Sequence, residues 1–275
     1  MPLRRLVLIL GLLFPATTAA QSADSLASSS GPTRAPRSYG ALQSSPPRHL
    51  AAPIRLWHVG AALGGVALVS LADHDVQRYI VDHRTQGEQD LADKWQQWGE
   101  GPIPIAITLG TLGTGLVLRK PEVARTGGRL ATSLVAVTLL GRGLKKAIGR
   151  ARPSEASDQY TFDPFGTYNA FPSGHTITGF AVSTVLADAI DNQWADVGLY
   201  GIAAGTGVSR LVGNHHWLSD VTGAALLGIT TAKVVDGKWR IFGLEPPEFL
   251  TGPGGAGMRW TLDLPALRGA PRARN

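Results

Sequence analysis

The sequence predicts an all-α protein, and three observations carry that expectation. From Ile54 to about Val235 the apolar residues recur with helical spacing. No stretch alternates convincingly with period two, as a half-buried strand would. The Pro/Gly-rich sequence "EPPEFLTGPGGAGMRW" falls after Trp239, outside the periodic region.

The elements follow in order. Residues 1–20 have Arg4 and Arg5, an apolar run from Leu6 to Phe14, and small residues ending at Ala20, the order of a secretory signal peptide. That run is short for a bilayer span. Residues 21–53 are rich in Ser, Ala, Pro and Arg without apolar period, and read as a disordered linker. Residues 54–240 form the helical domain, and 241–275 a Pro/Gly-rich tail read as irregular with a short extended piece. Helices are expected near Leu56 to Asp73, Leu91 to Trp98, Ile103 to Leu118, Pro121 to Ile148, Gly174 to Ile190, Trp194 to Val212 and Trp217 to Asp236. The segment from Asp73 to Glu100 otherwise reads as a loop.

Composition narrows the chemistry. Lys and Arg outnumber Asp and Glu 26 to 20 in 275 residues, which suits an anionic substrate, an anionic membrane surface or nucleic acid. There are no cysteines, so disulfides, zinc-thiolate sites and thiol nucleophiles are excluded. The seven histidines show no metal-ligand spacing such as HExxH.

Three clusters stand out. In "KKAIGRARP", Lys145 and Arg152 are seven residues apart, close to two helical turns, so a persisting helix would project both from one face until Pro153 ends it. In "PSGH", Ser173 and Gly174 open an apolar helix whose free backbone N–H groups can grip an anion, with His175 beside them. In "SRLVGNHHWLSD", Arg210 precedes His216, and Asp220 follows four later, where a helix would bring its carboxylate to the imidazole and fix the tautomer. Singly, each has a plain structural explanation: a basic helix end, an N-cap, a histidine with an acidic neighbour. Together they assemble cations, an anion-gripping helix start, two histidines and an orienting carboxylate.

In this combination the chain resembles the type 2 phosphatidic acid phosphatase and vanadium haloperoxidase superfamily, whose signature K-x6-R-P, P-S-G-H and S-R-x5-H-x3-D stands intact at Lys145 to Pro153, Pro172 to His175 and Ser209 to Asp220. The resemblance implies a six-helix core bundle. It implies that His216 is the nucleophile, becoming a phosphohistidine, that Asp220 orients it, and that His175 is the leaving-group acid and then the base for water. It implies a phosphate cradle of Lys145, Arg152, Ser173, Gly174 and Arg210. Fixed cations then do the work of a metal, so no metal or cofactor is expected, and vanadate should inhibit as a phosphate mimic.

The expected substrate is a phosphomonoester or diphosphate, favouring lipids such as phosphatidic acid or a polyprenyl diphosphate. The alternatives are a periplasmic non-specific acid phosphatase and a vanadate-dependent haloperoxidase. Nucleic acid is not expected as a partner. Arg142, Lys146 and Arg150 read as solvated or headgroup-facing charges, His215 as a surface or supporting residue, and Trp95 and Trp98 as interfacial anchors or packing groups.

Topology pulls two ways. Were every long helix to span, an exported linker would leave the site in the cytoplasm, whereas the basic segment at Lys120, Arg125 and Arg129 and the basic tail favour the reverse. A bundle exported whole, in the periplasm or on a membrane surface, resolves the conflict, and the expected place is the cell envelope of a bacterium, periplasmic and membrane-associated or integral in the membrane. Uncharged runs of 10 to 14 residues in the later helices suit core helices rather than spans.

Overall fold

A computed structural model describes residues 52–241, 248–252 and 255–259. Residues 1–20, most of the 21–53 segment and the final stretch of the tail lie outside the described residues. The described chain is predominantly helical: α1 Leu56–Ser70, α2 Asp73–His83, α3 Gln86–Trp95 with a 3-10 turn Gln96–Gly99, α4 Pro102–Val117, α5 Pro121–Ile148, α6 Gly174–Ile190, α7 Gln193–Val212 and α8 Leu218–Val235.

Helix starts obey local chemistry. Thr85 caps α3 by accepting from Glu88 N–H, with the Glu88 carboxylate returning to the Thr85 N–H. Pro102 and Pro121 sit in the first turns of α4 and α5, where a missing N–H costs nothing. The Asn192 side chain caps α7. Helix α5 stops at Gly149, which has φ 57°, and a Cβ there would collide with the Asp163 carbonyl, so only glycine fits.

The segment from Asp73 to Glu100 departs from the sequence reading. It is largely helical, since α2 packs short and polar against the bundle, and α1 ends at Ser70 and bends by 49° into α2. The sequence "DHDVQRYIVDH" hides α2 because only Asp73, Gln77 and Ile80 are buried, and two of those are polar. Two short strand pairings accompany the helices. Strand β1 Ala52–Ile54, which begins two residues inside the span read as linker, pairs in parallel with β2 Trp239–Ile241. In the tail, β3 Glu248–Gly252 and β4 Gly255–Arg259 form an antiparallel hairpin.

Helix α6 is the centre of the bundle, in contact with α5, α7 and α8, while α4 pairs with α5 and α1 leans on α8. Leu130, Val182, Val185 and Ala232 form one core cluster, with Trp98 and Ile107 against it. Val137, Ile177, Ala181 and Ala224 form another nearer the site. Trp98 donates its indole N–H to Ser183 Oγ at 3.0 Å, and the Thr206 hydroxyl donates to the Trp95 carbonyl at 3.0 Å. The tryptophan pair is therefore tied into the bundle.

Because α6 and α8 run against α5 and α7, one end of the bundle collects two helix N-termini and two C-termini. That end bears the three motifs. The outer faces of α1 and α4 stay apolar and uncovered: Leu56, Trp57, Leu63, Leu68, Leu109 and Val117 are all well exposed. Among the described residues α8 is the single unbroken helix long and apolar enough to cross a membrane, and it is mostly buried within the bundle; the bent α1–α2 pair passes the same test only if taken together.

Candidate active site

His216 lies two residues before α8, with 3% of its surface exposed. Asp220 stands at the third position of α8, where one carboxylate oxygen accepts the Trp217 backbone N–H at 2.9 Å and thereby closes the helix start. The same oxygen, Oδ2, is 3.6 Å from His216 Nδ1. That distance is too long for a hydrogen bond, and Nδ1 has no other partner. Asp220 therefore acts on the ring here through its charge. The i, i+4 spacing brings the pair together through a capped helix start rather than along a helix face.

His175 occupies the second position of α6, after Ser173 at the N-cap and Gly174. The Ser173 backbone N–H donates to the Asp220 carbonyl at 3.3 Å, which locks the starts of α6 and α8 together. Ser173 Oγ is buried and accepts from the Thr176 hydroxyl at 2.9 Å. Behind His175, the chain passes so close at Gly99 that any Cβ there would strike the His175 backbone. A Cβ on Gly174 would stand 4.0 Å from Lys145 Cε, which puts the lysine over this helix start.

Arg152 reaches the site differently from the expected shared helix face. Helix α5 ends at Ile148, and Arg152 follows four residues later in the loop after Gly149. Lys145 Nζ donates to the Asn169 carbonyl, and Arg152 donates from Nε and Nη2 to Asn169 Oδ1 at 3.1 and 2.8 Å, so the two cations converge on one residue. Arg210, near the end of α7 and 6% exposed, donates from Nη1 to Gln96 Oε1, and its buried Nε has no partner.

Electrostatics express this crowding. Burial, then Arg152, lowers the Lys145 ammonium to about 8. Burial, then Arg152, lowers Arg210 to about 10. Burial, then Arg210 and His216, lowers His175 to about 4. Complete burial brings His216 to about 4 against the opposing pull of Asp220. Half-buried His215 is also lowered by burial and by Arg210. The free site thus holds two neutral imidazoles beside three cations whose side-chain partners are neutral oxygens, an arrangement that attracts a multiply charged anion.

Sequence reasoning missed four residues here. Asn169 and Gln96 partner the cations over long sequence separations, which no local pattern encodes. Arg150, read as a solvated charge, is instead 4% exposed and pairs with Asp73 and Asp220 at 2.8 Å each. Gly149 was the available signal, because a left-handed helix end turns the following residue away from the helix surface. Asp73 lay in a segment read as loop.

Comparisons with known proteins concern this same region. A profile of the PAP2 superfamily matches residues 126–237. The chain is 32% identical over 142 residues to a lipid A 1-phosphatase of Porphyromonas gingivalis, covering 50% of this chain and 28% of that one. It is 36% identical over 87 residues to an acid phosphatase of Zymomonas mobilis, covering 30% of this chain and 32% of that one. The chain thus spans less than a third of the length of either relative. Its fold is similar to that of a transmembrane PAP2 type phosphatidylglycerolphosphate phosphatase from Bacillus subtilis, with a TM-score of 0.52 and 17% identity over 64% of this chain and 93% of that one.

Proposed function

We propose that this chain, whose residues 126–237 match a profile of the PAP2 superfamily, hydrolyses a phosphomonoester or diphosphate carried by a lipid, through a phosphohistidine on His216. One observation carries the reading: Lys145, Arg152 and Arg210 face a common site with Asn169 and Gln96, not carboxylates, as their side-chain partners. Cations left this way are matched to an incoming anion.

The reaction divides among this chain's own groups. Lys145, Arg152, Arg210 and the backbone N–H groups opening α6 at Gly174 hold the nonbridging oxygens and offset the charge that spreads over them in the transition state. His216 attacks phosphorus through Nε2, since Nδ1 faces Asp220. The bound phosphate offsets the cations that hold His175 neutral, so His175 takes up a proton as substrate binds. As the N–P bond forms, the bond to the leaving oxygen breaks and protonated His175 gives that oxygen its proton. Neutral His175 then takes a proton from water, whose oxygen attacks phosphorus and releases His216. No metal or cofactor takes part, and vanadate inhibits by occupying the phosphate position as a trigonal-bipyramidal mimic.

The uncovered apolar faces of α1 and α4 support a lipid substrate and a seat at or in a bacterial membrane. The relatives named as lipid A 1-phosphatases support a phosphate attached to a lipid headgroup. A periplasmic acid phosphatase of broad specificity is the second reading, favoured by the Zymomonas relative. The test compares turnover of phosphatidic acid, a polyprenyl diphosphate and lipid A in detergent micelles with that of a soluble aryl phosphate, with and without EDTA. Preference for a micellar lipid, unchanged by EDTA, is expected. Preference for the soluble ester would move the assignment to the acid phosphatase, and loss of activity restored by a divalent ion would remove the metal-free mechanism.

A further inference from the structure

Behind His216 lies a buried set of charges whose hydrogen bonds are made among themselves. Asp73, Asp220 and Ser219 are each at most 1% exposed, and Arg150 is 4% exposed. Arg150 makes five hydrogen bonds: Nε and Nη2 to the Gln159 carbonyl at 3.0 and 2.8 Å, Nη1 to Ser219 Oγ at 2.6 Å and Asp220 Oδ1 at 2.8 Å, and Nη2 to Asp73 Oδ2 at 2.8 Å. A guanidinium has five N–H donors, so none is left for substrate. The rings of Phe162 and Trp217 flank it, each centroid 5.7 Å from Cζ. Asp73, the first residue of α2, also accepts the Ser219 backbone N–H at 2.8 Å and the Ser219 hydroxyl. An acid from a different helix thus serves the first turn of α8.

We propose that Asp73 and Arg150 are positioning residues for the nucleophile: Asp73 fixes Arg150 and the start of α8, and Arg150 fixes the carboxylate of Asp220 behind His216. The proposal rests on the reading of His216 as nucleophile. Its physical content is that one cation is shared between two carboxylates, only one of which touches the imidazole. Asp220 has Arg150 on Oδ1 and the Trp217 N–H on Oδ2, so its carboxylate plane cannot rotate, and the edge facing His216 Nδ1 is set.

Charge follows from the same geometry. The groups that act on His216 are Asp220 on α8, Lys145 on α5, His175 on α6 and Arg210 on α7, with Arg150 in contact with Asp220 and Asp73 behind it on α2. Loss of the Arg150 charge exposes His216 to the full field of Asp220 and favours its protonation. Loss of the Asp73 charge leaves Arg150 to offset Asp220 alone and disfavours it. The two substitutions should shift the His216 titration in opposite directions, by about half a unit to one unit each.

The experiment uses the full chain in detergent with Asp73→Asn, Arg150→Lys, Arg150→Met and the double variant Asp73→Asn/Arg150→Met. Two readouts are needed, the His216 ring titration by NMR, assigned with His216→Gln, and kcat and KM for an aryl phosphate corrected for folded fraction. Expected are a ring titration moved up in Arg150→Met, down in Asp73→Asn and back toward wild type in the double variant. With these go a 10- to 100-fold loss of kcat at nearly constant KM in the two single charge-removing variants and partial recovery with Arg150→Lys.

If Arg150→Met does not fold, Asp73→Asn and Arg150→Lys still decide the matter, through the downward shift and the retained kcat. Titrations that stay put while only melting temperature falls, or kcat unchanged per folded molecule, would overturn the proposal. The NMR arm needs no turnover. A wild-type protein without phosphatase activity would therefore defeat the functional reading, while the ring titrations would still report on the positioning pair.

Discussion

The two ends of the helical bundle both carry charge, and they dispose of it in opposite ways. At the end away from the site, Asp188 holds Lys233 at 2.6 Å and Lys238 at 2.9 Å, while Asp236 holds Arg129 at 2.8 Å and Lys238 at 3.6 Å. Lys233, Lys238 and Arg129 there each meet a carboxylate. At the site end, Lys145, Arg152 and Arg210 meet amide and carbonyl oxygens, and the buried carboxylates Asp73 and Asp220 are held by Arg150 behind His216. Paired charge fastens helices; cations left beside neutral oxygens are free to receive an anion. The same bundle thus separates a closed ionic clamp from an open electrostatic receptor.

The largest effect expected from disturbing that contrast is at His216. His216→Ala should lower kcat on the order of 10⁴-fold or more, because no other group can form the covalent intermediate. His175→Ala should cost about 10² to 10⁴-fold with a lipid alkyl phosphate. That loss should shrink for formation of the phosphoenzyme from an aryl phosphate, whose leaving group needs little protonation, and an equal loss with both leaving groups would deny His175 the role of acid.

Next come the receptor cations. Lys145→Met and Arg210→Gln should each reduce kcat/KM by about 10² to 10³-fold, the usual cost of removing one transition-state donor. Lys233→Met, at the clamped end, should leave kcat/KM within about twofold while lowering unfolding free energy by about 1 to 2 kcal/mol. Equal effects on activity at both ends would erase the distinction.

A smaller and more diagnostic effect concerns protons. In the free protein, burial and Arg210 hold His175 near 4. A bound phosphate or vanadate offsets the cations and raises that value, so binding between about pH 4 and 6 should take up a proton. Calorimetric titration with vanadate or phosphate at pH 5.5 in two buffers of different ionisation enthalpy measures the uptake, and His175→Ala should reduce it, leaving the share taken up by His216. Proton release would contradict the account. Stability carries the matching sign. Folded His216 sits below its unfolded value, so as pH falls from about 6.5 toward 4 the unfolded chain gains protons that the folded chain does not, and stability is lost.

The receptor was legible in the sequence because its residues fall in three short motifs, each with a local structural logic: a helix end, a helix start and a capped turn. The long helices were legible because their apolar period is strong, and the bounds of α5 and α6 match the sequence reading. What lay beyond reach was long-range. Helix α2 has a polar buried face, so periodicity is silent on it, and Asp73 gains its meaning only when Ser219, 146 positions later, donates to it. Arg150 differs from its solvated neighbours Arg142 and Lys146 solely by following Gly149, whose backbone turns it inward. The clamp of Asp188, Lys233 and Asp236 was equally hidden, since ion pairing between separate helices leaves no local pattern.

The most direct test of the central claim is rapid-quench labelling with a radioactive aryl phosphate, carried out on the wild type, His216→Ala and His175→Ala. The account predicts an acid-labile, alkali-stable phosphohistidine in the wild type, its accumulation in His175→Ala because water is no longer activated, and its absence in His216→Ala. Label that still accumulates in His216→Ala and is missing from His175→Ala would show that the receptor serves the opposite histidine, and the account of the site would be wrong.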